Sequence, residues 1–296
     1  MSNNLEAGPP GARPAGAVET GTGHLLASLD SGVLTLTLNR PDVRNALSRE
    51  MLESLAAMLD LADRSADVRV VVLRGAGGVF CAGGDLGRLA AGESVFGPAG
   101  EPAVRLATQK ALQRATVARL HEMGTPSIAL IDGPAVGAGL GLALACDLRY
   151  ASDEATLHTG FGRLGLAGDF GCTWLLRRLA GHSRALELLY FSPPLPAARA
   201  RDLGLVTDVL PGELLGDHVA KLAGRLAAAS PDALRVMKAH VSRAHDADLA
   251  TCADAEADWH VRLLESDAHR DAVRALTRGR TARPESTAQN SGADRS

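Results

Sequence analysis

Short apolar runs bounded by turn residues recur through the first two thirds of the chain. Residues 23–29 and 33–38 are two such runs, and Asp30-Ser31-Gly32 between them is typical of a β-hairpin. Continuous apolar runs predict further buried strands at residues 69–73 and 127–131, with a shorter candidate at 148–151.

Segments with helical spacing of apolar residues alternate with these strands, and beyond residue 170 nearly the whole chain has this spacing. Ser48 is a good N-cap for a helix over residues 51–62. The same pattern predicts helices at 102–123, 138–146, 171–180, 182–191, 196–203, 212–228, 231–245 and 248–266. Repeated strand–helix units followed by helices alone predict an α/β core with appended helices.

Composition predicts tails at both ends and a globular protein between them. Residues 1–22 are rich in Gly, Pro and Ala without periodicity, and residues 285–296 are similar, so both are predicted to be disordered. A chain of 296 residues is long enough for a substantial core.

Charge and cysteine content exclude several classes of function. The net charge of −3, without a basic stripe, argues against nucleic acid as a partner. No apolar run reaches the ~18 residues of a membrane span, and no CxxC or Cys/His cluster suggests zinc, so no metal site is expected. Four scattered cysteines and no signal pattern favour reduced thiols in the cytoplasm.

Two glycine-rich segments follow predicted buried strands and are the main candidates for chemistry. Residues 75–86 (GAGGVFCAGGDL) and 132–147 (DGPAVGAGLGLALACD) can bring backbone N–H groups close to a ligand. Tight structural turns and close helix packing are the alternatives. The GxGxG run also looks like a dinucleotide fingerprint, but no acidic residue ends a suitable strand about 20 residues on. Two such strand exits suggest a pair of N–H groups aimed at one oxyanion.

Five motifs in order resemble the crotonase, or enoyl-CoA hydratase/isomerase, superfamily. They are LTLNRPDVRNALS at 36–48, VVLRGAGGVFCAGGDL at 71–86, PSIALIDGPAVGAGLGLALACDLRYAS at 126–152, ARARDLGLVTDVLP at 198–211 and SDAHRDAVRALTRGRTARP at 266–284. The resemblance implies a ββα spiral core over residues 23–203 and a C-terminal helical oligomerisation region over 204–284. It also implies homotrimers or hexamers.

The resemblance further implies an acyl-CoA thioester as substrate and needs no additional cofactor. It places the two oxyanion N–H donors at Gly84 and Ala138. It assigns contacts with the CoA thioester to Asn45, Ala46, Leu47, Ala82, Gly83, Asp85 and Leu86.

The chain departs from the hydratases of this family at two positions. Those enzymes carry one glutamate three residues after the second oxyanion donor and another in the loop after the next strand. Here these positions are Gly141 and Phe161. Water addition needs one group to activate water and another to deliver a proton. The sequence therefore predicts no hydration through those glutamates, and it predicts Phe161 as part of an apolar acyl pocket.

Asp169 is the remaining candidate base. It matches the D-x-G-x-T-W pattern of the phenylacetate-pathway isomerase-like branch, together with Gly171, Thr173 and Trp174. The alternative is an N-cap for the helix that follows. His158 is a second titratable residue near the site, although a lone histidine is more often structural.

These residues predict an acyl-CoA isomerase in which one carboxylate moves a proton between two carbons of a stabilised enolate. One alternative is another enzyme on the same fold: an atypical enoyl-CoA hydratase, or an enolate-forming lyase or hydrolase. A second alternative is a non-catalytic acyl-CoA-binding subunit. A second acid or His158 facing Asp169 would favour the first alternative.

Overall fold

The computed structural model describes residues 16–281 and builds them into strands and helices that follow the predicted order. In chain order the strands are β1 (Ala17–Val18), β2 (Leu25–Asp30), β3 (Val33–Leu38), β4 (Val70–Gly75), β5 (Ser127–Ile131), β6 (Ala135–Val136), β7 (Leu148–Ser152), β8 (Thr156–His158), β9 (Leu195–Pro196) and β10 (Asp208–Leu210).

The helices occupy the segments between and after these strands. They are α1 (Arg49–Arg64), α2 (Leu86–Ala90), α3 (Pro102–Gln113), α4 (Arg119–Glu122), α5 (Ala138–Ala145), α6 (Cys172–Ala180), α7 (His182–Phe191), α8 (Ala197–Asp202), α9 (Gly212–Ala228), α10 (Pro231–Arg243), α11 (Leu249–Leu264) and α12 (Asp267–Thr281). A π-helical turn, Arg114–Ala118, joins α3 to α4 within the single helix predicted at 102–123. Helix α12 lies within the helical region expected over 204–284, although its own bounds were not predicted.

A large, mostly parallel sheet carries the core. Its strand order is β1-β2-β3-β4-β5-β7-β10. The first three strands pair antiparallel, β2 and β3 through the predicted hairpin, and the pairs from β3 onward are parallel. A second, three-stranded sheet has the order β6-β8-β9.

A repeating strand–strand–helix unit connects the two sheets. A strand of the large sheet is followed by a short strand of the small sheet and then by a helix, as in β5–β6–α5 and β7–β8–α6. An isolated parallel bridge between Cys81 and Ala135 adds the turn that begins with β4 to the same series. This repeat matches the α/β spiral core that the resemblance implies.

Side chains on the two faces of the large sheet enter different hydrophobic clusters. Val71 and Leu73 of β4 belong to the main core, whereas Val70 and Val72 face a smaller cluster that includes Leu215 of α9. Burial on both faces explains why this strand reads as a continuous apolar run.

The structure corrects two predicted boundaries. The chain divides into two compact units between Pro231 and Asp232. Strand β10 pairs with β7 and α9 covers the large sheet, so both belong to the first unit and the boundary predicted at 203/204 lies too early. Strand β1 pairs with β2, so residues 16–22 are part of the fold rather than of the disordered tail predicted over 1–22. The remainder of that tail and the tail predicted at 285–296 lie outside the described residues.

The second unit contains α11, α12 and most of α10. Several of its apolar side chains are exposed in the isolated chain, among them Val241, Leu249, Val261 and Leu276. Within residues 16–281, no helix combines the length and apolarity needed to span a bilayer.

Candidate active site

A cavity of about 780 Å³ in the first unit collects most of the predicted site residues. Its wall comes from the loops after β4, β6 and β8 and from the loop before α6. The predicted residues that line it are Leu47, Ala82, Gly84, Asp85, Leu86, Ala138, Phe161 and Asp169, and His158 joins them.

The first predicted oxyanion donor lies in the loop that leaves β4. Gly83 has a φ of +76°, and a Cβ on it would lie 2.5 Å from the Val136 carbonyl oxygen, so the loop packs on β6 only with glycine there. The Gly83 carbonyl accepts a hydrogen bond of 2.8 Å from the Leu47 N–H. The Gly84 N–H has no acceptor among the described residues. It is therefore free to bind a ligand that enters the cavity.

The second predicted donor is the first residue of α5. Gly137 before it has φ 54° and ψ −120°, and its own N–H donates to the His158 carbonyl. The Ala138 N–H, at the positive end of the helix, finds no acceptor in the described part of the chain. A Cβ on Gly83 would lie 3.2 Å from the Ala138 nitrogen, which shows how closely the two loops approach.

Three residues predicted to contact the substrate do not line the cavity. Asn45, Ala46 and Gly83 are buried. The Asn45 side chain donates to the carbonyls of Ala76 and Val79 and accepts from the Arg40 N–H, so it holds the first glycine loop together. Asp85 lines the cavity but caps α2 by accepting from the Arg88 N–H.

The Asp169 side chain is largely buried, and one of its two carboxyl oxygens lacks a compensating contact. Its Oδ1 has no hydrogen-bond partner among the described residues. Burial raises its pKa to about 6, because water no longer stabilises the charged form. The alternative role as an N-cap is wrong: Gly171 caps α6, and no side chain bonds to that helix end.

The loop that carries Asp169 has an unusual backbone. Gly168, Phe170 and Gly171 all have positive φ, and the value of +44° is costly for the bulky Phe170. The Phe170 ring is fully buried, and its N–H donates to the Gln113 side-chain oxygen at 3.1 Å. Gln113 ends α3 where the π-helical turn begins. These contacts hold the backbone of the loop next to Asp169.

The two positions that carry glutamates in the hydratases are closed to them here. A Cβ on Gly141 would lie 2.3 Å from the Phe170 carbonyl oxygen, so the Asp169 loop rests directly on α5. Phe161 is buried and supplies an apolar wall. The site therefore holds the Asp169 loop in the space that a side chain at 141 would need.

His158 lines the same cavity and is a weak base. Its pKa is lowered by partial burial and by the nearby Arg163 guanidinium. The imidazole is therefore neutral near pH 7, and its backbone carbonyl helps to place Gly137.

Two residues that the sequence did not single out support the site. Gln113 lies 57 positions from Phe170, so no local pattern could connect them. Cys172 follows Asp169 in the same motif, and its thiol donates to the Gly137 carbonyl at 3.1 Å. In the described residues, no three His, Cys, Asp or Glu side chains gather into a possible metal site.

The chain is similar over most of its length to proteins that act on acyl-CoA thioesters. The profile of the family "Enoyl-CoA hydratase/isomerase" matches residues 28–283. The 1,2-epoxyphenylacetyl-CoA isomerase of Escherichia coli K12 is 35% identical, over 85% of this chain and 94% of the relative.

Solved structures agree with this match. An enoyl-CoA hydratase from Bacillus anthracis superposes with a TM-score of 0.79 at 31% identity, covering 86% of this chain and 96% of that one. An enoyl-CoA hydratase described as putative, from Thermobifida fusca and in complex with acetoacetyl-CoA, gives 0.76 at 33% identity, covering 82% and 96%.

Proposed function

The chain belongs to the enoyl-CoA hydratase/isomerase family, and on that premise we propose that it is an acyl-CoA isomerase that shifts a double bond through a thioester enolate. The observation that carries the proposal is the Asp169 carboxylate, which lines the same cavity as Gly84 and Ala138 and has one buried oxygen, Oδ1, without a partner among the described residues. The acetoacetyl-CoA complex of the Thermobifida fusca relative supports an acyl-CoA thioester as substrate.

The proposed reaction needs one base and one oxyanion site. The thioester carbonyl oxygen accepts the N–H groups of Gly84 and Ala138. Asp169 takes a proton from carbon, and the electron pair moves through the conjugated system to that oxygen. The enolate then collapses, and Asp169 returns the same proton to a different carbon. Forming the enolate is the demanding step, and a pair of amides fixed in position stabilises the charge that develops on its oxygen.

The surroundings of Asp169 favour proton return over water addition. Phe161 and Leu166 form an apolar part of the wall. Gly141 contributes no carboxylate, and the neutral His158 supplies at most one additional group. A pKa of about 6 also suits a base that must both accept and release a proton near neutrality.

Double-bond migration in deuterated water tests the proposal directly. Short, medium and aryl 3-enoyl-CoA thioesters are incubated with wild type and with Asp169→Asn in deuterated water. We expect wild type to move the double bond of at least one of them and Asp169→Asn to be at least ~100-fold slower, the scale of general-base removal. Asp153→Asn, an exposed aspartate with no role in the site, is the matched control.

Each other outcome favours a different alternative. Formation of 3-hydroxyacyl-CoA from 2-enoyl-CoA by wild type would indicate an atypical hydratase. Release of free CoA or carbon–carbon cleavage would indicate a hydrolase or lyase. Tight binding without movement of the double bond would indicate a non-catalytic subunit. Any of these would overturn the isomerase proposal.

We also propose a homotrimer or a hexamer located in the cytoplasm. Exposed apolar side chains on α10, α11 and α12 support further assembly. Free thiols at Cys81, Cys146 and Cys172 support a reducing compartment.

A further inference from the structure

Each oxyanion amide belongs to a peptide unit that is held from its opposite side. The Gly84 N–H is part of the peptide whose carbonyl is that of Gly83, and this carbonyl accepts the Leu47 N–H at 2.8 Å. The Ala138 N–H is part of the peptide whose carbonyl is that of Gly137. This second carbonyl accepts the Cys172 thiol at 3.1 Å. In a trans peptide the C=O and N–H point in opposite directions, so both donors lie behind the amides.

We propose that Cys172 is a positioning residue for the proposed isomerase: its S–H group orients and polarises the Gly137–Ala138 peptide and so strengthens the Ala138 oxyanion donor. The inference rests on the proposed function, because it needs the Ala138 N–H to bind the substrate oxygen. It adds a role for a side chain that touches neither substrate nor base.

The thiol is suited to this role because it stays protonated. Cys172 is fully buried, and burial raises its pKa far above the usual range, with the Asp169 charge adding to the effect. A protonated thiol donates a weak hydrogen bond, and donors on a carbonyl polarise the attached N–H cooperatively. The Gly137 carbonyl also accepts the first helical bond from Gly141 at 3.0 Å, so the thiol adds to an existing donor.

Cys172 also connects the two halves of the proposed mechanism. Its backbone N–H donates to the Asp169 carbonyl at 3.0 Å, while its side chain donates to Gly137. The loop that carries the base and the helix that carries the oxyanion amide are therefore fixed to the same residue.

The chain offers a closely matched control in Cys146. Its thiol is also buried and is aimed at a carbonyl of α5, that of Leu142, at 3.6 Å. That carbonyl belongs to a peptide whose N–H lies inside the helix and does not line the cavity. Cys146→Ala and Cys172→Ala remove the same atom from similar surroundings, but only one affects the oxyanion peptide.

The first test compares kinetics. We expect Cys172→Ala to lower kcat about threefold with KM nearly unchanged. Complete loss of an oxyanion donor lowers kcat about 100- to 1000-fold, and cooperative polarisation supplies only a fraction of that donor's hydrogen-bond strength. Cys172→Ser keeps a donor and should restore kcat, and Cys146→Ala should leave kcat unchanged despite a similar fall in Tm. Equal kcat in wild type and Cys172→Ala, or equal losses in both alanine variants, would overturn the inference.

The second test reads the oxyanion site without turnover. Crotonyl-CoA is bound to Asp169→Asn and to Asp169→Asn/Cys172→Ala, and the thioester carbonyl stretch is measured by Raman difference spectroscopy. We expect a shift to lower frequency in the single variant and a smaller shift in the double variant. An equal shift in the single and double variants would overturn this inference alone. A carbonyl that is unshifted in the single variant would overturn the oxyanion assignment, and the role of Cys172 with it.

Discussion

At the scale of single residues, the Asp169 carboxyl group is the costliest feature of the site. Its Oδ1 is buried without a partner among the described residues, and the next residue, Phe170, has a positive φ. Uncompensated burial of a carboxylate and backbone strain both oppose folding. Their concentration beside two free amides is typical of a site in which stability is sacrificed for reactivity.

The raised pKa of Asp169 predicts a pH-dependent rate. The base must be ionised to accept a proton, so kcat/KM should rise with pH through about 6 and then level off. The measurement is kcat/KM between pH 4.5 and 8.5 with a 3-enoyl-CoA substrate. A profile that is flat over this range would show that another group acts as the base.

The same pKa predicts a stabilising substitution. The carboxyl binds a proton at about pH 6 when folded and near 3.8 when unfolded, so the folded state binds more protons between these values. Stability contributed by this group therefore falls as pH rises through that window. At pH 8, the free energy of unfolding in urea should be higher for Asp169→Asn than for wild type, by on the order of 2 kcal/mol. At pH 3.5 the two proteins should unfold at the same urea concentration. A variant less stable than wild type at pH 8 would contradict this.

Two adjacent glycines should respond differently to alanine. Gly84 does not have a positive φ, and a Cβ there would meet only the Leu89 side chain at 3.4 Å. Gly83 has positive φ and the Val136 carbonyl in the way. Gly84→Ala keeps the N–H donor and should retain most activity, whereas Gly83→Ala should lose it along with several degrees of Tm. Thermal unfolding and kcat of the two variants provide the check.

At the scale of elements, the site depends on a loop that rests directly on a helix. The Phe170 carbonyl contacts α5 at Gly141, and the Gln113 side chain holds the Phe170 N–H from the end of α3. The π-helical turn after Gln113 changes the helical phase at that point. Two helices distant in sequence thus determine where one short loop places its carboxylate.

The contact at Gly141 predicts a large effect from a single methyl group. Gly141→Ala would place a Cβ 2.3 Å from the Phe170 oxygen, so the Asp169 loop has to move. We expect kcat to fall at least tenfold, since small misplacements of catalytic groups are expensive. Gly224→Ala in α9 is the control: nothing lies near its Cβ, and helix propensity should raise Tm slightly. Normal activity of a folded Gly141→Ala variant would show that the loop tolerates displacement.

At the scale of the whole molecule, the second unit predicts assembly. Among the residues that the structure describes, Leu249 is 85% exposed and Val241 76% exposed on the helices of this unit. Native mass spectrometry should give three or six times the 30.6 kDa chain mass. A monomer that persists at micromolar concentration would contradict the proposed oligomer.

Much of this fold could be predicted from sequence because its strands and helices are strongly patterned. The apolar run at β4 and the Ser48 cap of α1 both led to correct elements. The strands of the small sheet could not be found, since β6 and β9 have two residues each and exist only through pairing. The boundary near 203 was wrong because β10 is recognisable only once it pairs with β7.

The candidate site shows a similar limit. Gly84, Ala138 and Asp169 were identified through their motifs and do line one cavity. Asn45 fits a motif too, but its side chain is used inside the protein rather than in the cavity. The support from Gln113 and Cys172 comes from three-dimensional contacts between segments 57 and 35 residues apart, which a single sequence does not encode locally.

The approach of Phe170 to Gly141 restricts how this scaffold could be redesigned. Because a backbone oxygen fills the space beside residue 141, a glutamate introduced there would push away the loop that holds the existing base. The new glutamate would therefore displace Asp169, and a variant with that single change would catalyse neither isomerisation nor hydration. An engineer seeking hydration from this protein has to rebuild residues 168–171 first and substitute residue 141 afterwards.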